Sequence, residues 1–481
     1  MVGFDMSIVG PLLSLPMFAE KYQGNPGPLT GKGVLIPLQT KNLNLIVTVP
    51  IVGAIIASFG APPMQKAVGR RKTLLWAQFC VCLPSALLQL FAPNLGVLVA
   101  GRVIHYVGLG FAANTGPLYL SEIAPAHVRG RLIGFCSVMY MASGILGSTV
   151  VWGCEKLSTN LEFQIPLGIQ AGLSVFFGLL TVPLFESPQW HALRGDYHIS
   201  ESILYQIRGT NKVLAMAEVD DYRRAFAKTA SNPSNGTLFD IVSRENIKRT
   251  LISGAYISFE QVSGLVMIGA FSTVTLTQAG VGDVFKVTIF INCLMFAGQL
   301  VGPYLVDTMG RRPVALTFLP IIAGLNMAAA SLAMAGLEKN SMRSKAVAGV
   351  FICLGFFITV AYGSLSWVIQ TEIAVLHLRE KSVGWSQFWS YIAAIVTSFV
   401  VPRLANPDGL NLGARVAYIF AGTNTVALIF TYFCLPETKG RTFAEIQAMY
   451  DNDVCGVRLS KTPRLSTSTA SRECSDGRLR S

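Results

Sequence analysis

Charge is what this sequence has least of. Asp, Glu, Lys and Arg together make up 13% of its 481 residues, against roughly 25% in a soluble domain. Hydrophobic residues reach 52% and the mean hydropathy is +0.50. So few charges cannot clothe a soluble surface, so most of the surface must face lipid. Catalytic motifs are missing too. There is no phosphate-binding Gly-rich loop with its Lys, no zinc-ligand spacing, no Gly-x-Ser-x-Gly elbow and no His/Cys/Asp array. These absences argue against an enzyme, and no cofactor or metal is expected. The nine cysteines, Cys80, Cys82, Cys136, Cys154, Cys293, Cys353, Cys434, Cys455 and Cys474, sit mostly in apolar segments and form no ligand-type array. They read as small buried hydrophobes. Met1 is followed at once by Val2-Gly3-Phe4-Asp5, with no basic leader, so no cleavable signal peptide is expected.

What the chain does have is apolar runs. A membrane-spanning helix needs about 20 apolar residues. Spans are expected near 1–18, 40–62, 72–92, 95–120, 129–151 and 163–184, then near 249–277, 283–306, 313–335, 345–371, 382–401 and 413–435. The fold class is all-α, with twelve transmembrane helices in two six-helix bundles. The expected units are an N-terminal bundle over 1–185, a helical linker over 186–248, a C-terminal bundle over 249–435 and a tail over 436–481. Gly, at 45 residues, suits close helix packing in lipid. The first span is short: only about one half-membrane of apolar sequence follows Asp5, so helix 1 looks truncated on the cytoplasmic side.

One stretch occurs twice. Glu122-Ile123-Ala124-Pro125-Ala126-His127-Val128-Arg129 returns as Glu372-Ile373-Ala374-Val375-Leu376-His377-Leu378-Arg379, with five of eight positions identical. Gly69-Arg70-Arg71 returns as Gly310-Arg311-Arg312. Both repeats are spaced by about half the chain, the signature of a secondary transporter built from two related halves. Most of the 38 Lys and Arg gather on the side of the linker and the tail. Excess Lys and Arg mark the cytoplasmic side, so both termini are expected in the cytoplasm. The formal net charge of +12 is then topology and not a nucleic-acid footprint. The linker should form short amphipathic helices, such as Ile199 to Ile207 and Val213 to Lys228. The sequon Asn235-Gly236-Thr237 would face the cytosol unused, and the Ser/Thr/Arg-rich tail should be disordered.

With Gly3-Phe4-Asp5, Gly101-Arg102, Pro117-Leu118-Tyr119-Leu120-Ser121-Glu122, Phe185-Glu186-Ser187-Pro188, Gln261-Val262-Ser263-Gly264, Asp307-Thr308-Met309-Gly310-Arg311-Arg312, Trp367 and Pro436-Glu437-Thr438-Lys439-Gly440-Arg441-Thr442 in order, the chain resembles the sugar porter family of the major facilitator superfamily. The likeness is to its fungal members and covers nearly all of residues 1–450. The resemblance implies alternating-access transport of a sugar, in proton symport or as a uniporter, across the plasma membrane. A carrier of a polyol or quinate-like acid and a transport-inactive sugar receptor share the fold. Receptor-type members usually carry long signalling tails, whereas Pro436 to Ser481 is a short one. The expected partners are a sugar, a proton and the bilayer.

Three sets of residues follow. Charges at inner membrane edges are tolerable only if paired or wet; Arg70, Arg71, Glu122, Arg129 and Glu186, with Asp307, Arg311, Arg312, Glu372, Arg379 and Glu437, are expected to tie the bundles when the cytoplasmic side closes. Asp5 and Arg102 are the opposite charges expected deep in the first half. A buried acid is a functional candidate by default, and in proton-coupled members the matching positions form the proton site. A sugar needs aromatic faces and hydrogen-bonding groups; Glu260, Gln261, Trp367, Gln387 and Tyr391 are the candidates, of which Gln261 and Trp367 match family contacts. The chain departs from the family in several places. Lys66 replaces the aspartate before the first Gly-Arg-Arg and Gln189 an arginine, which predicts a weaker first-half lock. Glu260 replaces a glutamine and Val266 an asparagine, and the helix-5 glutamine falls at Ser137 or Val138. Fewer amides mean a substrate other than plain glucose, with Glu260 a possible second titrating group.

Overall fold

A computed structural model describes residues 1–23, 39–124, 129–155, 157, 159–208, 215–216, 218–220, 222–223, 243, 246–278, 283–334, 342–373, 379–405, 410 and 412–439. The side chains of Arg129 and Arg379 are outside that description, as are most of Val213–Lys228, the Asn235 sequon and the tail beyond Lys439. The described residues hold helices and no strand. Among the described residues eleven helices are long and apolar enough to cross a membrane, or twelve if one bent pair is a single span.

The first half holds α1 (Val2–Leu12 with a continuation, Pro16–Gln23), α2 (Lys41–Val68), α3 (Arg70–Leu90), α4 (Leu95–Ile123), α5 (Arg129–Cys154) and α6 (Leu161–Thr181). Two linker helices follow, α7 (Pro188–Leu193) and α8 (Tyr197–Ile207). The second half holds α9 (Ile247–Glu260, a wide turn Gln261–Leu265, and Val266–Gln278), α10 (Val284–Met309), α11 (Arg311–Met334), α12 (Met342–Gln370), α13 (Arg379–Ala405) and α14 (Ala417–Cys434). Helices are what an apolar run must form in lipid, where each backbone N–H and C=O needs a partner within the segment.

Where the ladder breaks, a cause is visible. The span expected over 1–18 is not one straight helix but bends by 84° between Leu12 and Pro16. Pro11 lies inside the first piece and Pro16 opens the second; proline lacks the N–H that would carry a helix through. In α9 the break is at Gly264, whose φ is +109°. The carbonyls there find side-chain donors instead. Asn424 of α14 donates to Ser263 O at 2.9 Å, Asn326 of α11 to the same oxygen at 3.3 Å, and Thr423 to Val262 O at 2.6 Å.

Large apolar side chains point outward along the spans, including Phe176, Leu180, Phe290, Ile429 and Phe433. The interior holds Phe4, Ile8, Phe163, Tyr256, Phe351 and Tyr362 together with many small residues. The halves meet where α1 packs on the outer piece of α9, α2 on α13, and α5 on α10. Asn44 donates to Phe399 O across the second seam and Asn292 to Ser148 Oγ across the third. The linker is fastened to the first half: Trp190 Nε1 donates to Lys66 O, Arg194 to Ala67 O, and Arg208 to Ile123 O. Of the seven described cysteines none is in a disulfide. Only Cys82 and Cys154 are buried; Cys80 and Cys353 face outward, which corrects the expectation of buried thiols.

Candidate functional site

Between α1, α3, α4 and α6 lies a buried charged centre. Asp5 is 1% exposed and Arg102 3%. Their nearest charged atoms, Asp5 Oδ2 and Arg102 Nη2, are 3.8 Å apart, beyond hydrogen-bond length. Asp5 and Arg102 therefore form a loose ion pair with no hydrogen bond between them. Each is held by something else. Gln170 Nε2 donates to Asp5 Oδ1 at 2.6 Å. Arg102 donates from Nε to Ile46 O at 3.1 Å and from Nη2 to the Tyr106 hydroxyl at 3.4 Å, with its guanidinium 5.5 Å from the Tyr106 ring centre. Arg102 is not alone in facing Asp5: His105, one helical turn on, puts Nε2 3.9 Å from Asp5 Oδ1. Glu162 near the outer end of α6 is a further buried acid, accepting from the Met17 backbone at 3.3 Å.

The residues proposed for sugar lie on α9, α12 and α13. Glu260 ends the inner piece of α9 and Gln261 opens its wide turn; both are half-buried. Turns of this kind recur at functional sites because they re-aim side chains. Trp367 on α12 is 41% exposed. Gln387 donates to Gln370 Oε1 at 3.3 Å. Tyr391 packs with Met1 and Val2 against Tyr106 and Ala394, so it lies on the seam between the halves. Tyr140 of α5 feels the charges of Asp5, Tyr106, Glu260 and Tyr391, so Glu260 and Tyr391 share a neighbourhood with the charged centre.

The inner-edge charges form two matching sets. In the first, Arg70 binds Glu122 through Nη2 at 2.9 Å and Nε at 3.2 Å. Glu186 Oε1 accepts from the backbone N–H of Arg70 and Arg71 at 2.6 and 3.0 Å. In the second, Arg311 binds Glu372 at 2.7 and 3.2 Å, and Glu437 accepts from the backbone N–H of Arg311 and Arg312 at 3.1 and 3.0 Å. Among the described residues Glu186 and Glu437 thus bind backbone N–H groups of the arginines. They cap the first turns of α3 and α11, whose free N–H groups and helix dipole favour an anion. Gly69 and Gly310, with φ of +102° and +103°, make the turn into those helices. The second arginines reach back to carbonyls, Arg71 to Val182 O and Arg312 to Tyr432 O. Asp307 is 3.5 Å from Arg311. These observed ion pairs each close within one half.

Sequence reasoning missed His105, Gln170 and Ser85, which complete the buried centre, and Thr438, which donates to Glu372 at 2.6 Å. A signal for His105 existed: an imidazole three residues after a buried arginine shares its helix face. Gln170 carried none, being 165 residues from Asp5. Among the described residues no cluster of His, Cys, Asp and Glu could hold a metal.

A family profile described as "Sugar (and other) transporter" matches residues 1–450. The chain is 26% identical over 475 residues to a major facilitator-type transporter, ecdD, of Aspergillus rugulosus, covering 93% of this chain and 84% of that one. It is 26% identical over 466 residues to a probable glucose transporter, rco-3, of Neurospora crassa, covering 94% and 77%. In fold it is similar to the xylose transporter XylE of E. coli in a partially occluded inward-open conformation. The TM-score is 0.73 at 18% identity, over 92% of this chain and 96% of that one.

Proposed function

The chain belongs to the sugar transporter family of the major facilitator superfamily, and on that footing we propose that it carries its sugar by proton symport, with Asp5 holding the proton. The observation that carries the reading is the buried Asp5 facing Arg102 at 3.8 Å with one carboxylate oxygen lacking a hydrogen bond. An ionised carboxylate in an apolar interior needs a counter-charge or a proton. With the proton on, Asp5 is neutral and Arg102 is released from it. With the proton off, attraction draws Arg102 onto Asp5. Sugar and proton are coupled because each favours the same rearrangement of the first bundle. XylE, whose fold this chain shares, is a proton:xylose symporter, which supports the reading.

The sugar site in this proposal is Gln261, Glu260, Trp367, Gln387 and Tyr391, at the seam of two bundles, 1–185 and 249–435. Glu122, Arg129, Glu186, Arg70 and Arg71, with Asp307, Arg311, Arg312, Glu372, Arg379 and Glu437, form the gate at the inner edge. The carrier works in the plasma membrane with both termini cytoplasmic.

The test is uptake of a labelled panel of hexoses, pentoses and polyols in a hexose-transport-null yeast, at several outside pH values, with and without protonophore. The parent should accumulate its sugar and lose accumulation with protonophore. Asp5→Asn should lose accumulation and keep exchange. Gln261→Ala should weaken affinity roughly ten- to a hundredfold, for about 1–3 kcal/mol of lost hydrogen bonding. Parent uptake that stops at equilibration and ignores the protonophore would make this a uniporter; absence of any uptake would favour a receptor.

A further inference from the structure

His105 stands one turn beyond Arg102 on α4, fully buried, and the symport reading has so far given it no part. Its Nδ1 lies 2.9 Å from Ser85 Oγ. Ser85 directs its hydroxyl to the Cys82 carbonyl, also at 2.9 Å, and a hydroxyl has one hydrogen to donate. Ser85 Oγ must then accept at its other contact, which puts a hydrogen on Nδ1. In the neutral ring Nε2 is left as a bare lone pair. That nitrogen has no hydrogen-bond partner and faces Asp5 Oδ1 at 3.9 Å. Oδ1 is itself an acceptor, held by Gln170. Two acceptors thus confront each other in a buried site, and a single proton between them removes the conflict.

Resting on the symport reading, we propose that His105 Nε2 is a second seat for the transported proton, exchanging it with the Asp5 carboxyl. The exchange balances. The N–H bond at Nε2 breaks, an O–H bond forms on Asp5, and an imidazolium–carboxylate pair becomes two neutral groups. The reverse step restores the pair, with Asp5 accepting from Gln170 and His105 and facing Arg102. The charged and titratable groups around the ring are Asp5 and the Met1 amino group from α1, Arg102 on its own helix, and Cys82 from α3. From α6 comes the neutral Gln170. An imidazolium at His105 would face the Asp5 carboxylate, 3.9 Å away, as its counter-charge. While the proton sits on His105, the ionised Asp5 has a second counter-charge beside Arg102.

Protein labelled with 15N-histidine in lipid nanodiscs tests this, with His105→Gln identifying the His105 signals. The Nε2 signal should move between its neutral and protonated positions as the pH is lowered, and Asp5→Asn should abolish the movement. In transport, His105→Gln should keep protonophore-sensitive accumulation at acidic outside pH. At neutral pH accumulation should fall about tenfold, the effect of a one-unit change in proton affinity. If His105→Gln does not fold, Ser85→Ala, which strips the Nδ1 partner, should shift the same Nε2 signal. A His105 signal indifferent to Asp5→Asn, or a His105→Gln carrier with the parent's pH profile, overturns the proposal. A parent that ignores the protonophore overturns the symport reading itself, a result distinct from a coupled parent with an inert His105.

Discussion

The two inner-edge networks share a backbone and differ in how they treat charge. In both, a glycine at positive φ turns the chain, a glutamate caps the next helix and the first arginine binds a second glutamate. The first-half pair is the deeper: Arg70 and Glu122 side chains are 6% and 4% exposed, against 12% and 23% for Arg311 and Glu372. The second-half pair is shallower but has more company, with Asp307 at 3.5 Å from Arg311 and Thr438 on Glu372. Where the first half has Lys66 in place of the aspartate, the remaining pair is more buried: its attraction grows as the surroundings become less polar, against a larger cost of desolvation. The expectation of a weaker first-half lock counts charges; depth is a second variable that acts on the same pairs.

That contrast can be broken by substitution. The largest effect should come from Arg70→Gln, which takes both guanidinium hydrogen bonds from the buried Glu122 Oε1 and costs about 3–5 kcal/mol. Arg311→Gln should cost clearly less, because solvent reaches Glu372. Thermal unfolding of purified variants in detergent measures both, and equal losses would erase the distinction of depth. Next come Gly69→Ala and Gly310→Ala. A Cβ there would stand 2.5 Å from Glu186 and 2.7 Å from Glu437 on a left-handed backbone, for about 1–3 kcal/mol each. Similar losses in both halves would show that the caps are equivalent even though the ion pairs are not. The smallest effect belongs to Asp307→Asn. Asp307 is 78% exposed, and an exposed pair contributes less than about 1 kcal/mol. A melting temperature lowered as far as by Arg311→Gln would mean that the aspartate, and not depth, distinguishes the halves.

The spans were legible because lipid demands long apolar runs: eleven of the twelve expected have a matching helix, most with limits within a few residues, whereas the one expected over 1–18 is bent and the one expected over 40–62 runs on to Val68. The repeated Gly-Arg-Arg and Glu motifs were legible because each is local. Their contacts were less so. Glu186 looked like a partner for arginine side chains, yet it binds backbone N–H groups, which every residue offers and no residue type advertises. The bend after Leu12 could have been read from Pro11 and Pro16, had composition not outweighed them in an apolar stretch. The buried centre was half visible: Asp5 and Arg102 stand out as charges in apolar helices, whereas Gln170 and Ser85 are ordinary polar residues until folding brings α3 and α6 against α1.

The break in α9 has a consequence for how the halves are aimed at one another. Beyond Gly264 the helix runs on a new axis, and that outer piece is what packs on α1. Its direction is held open by Asn326 and Asn424, whose amides occupy the Ser263 carbonyl; Asn424 is itself steadied by the Tyr362 hydroxyl at 3.0 Å. The instruction for where one seam lies is therefore written in two asparagines on α11 and α14, and a change at either could re-point Gln261 without touching α9 at all.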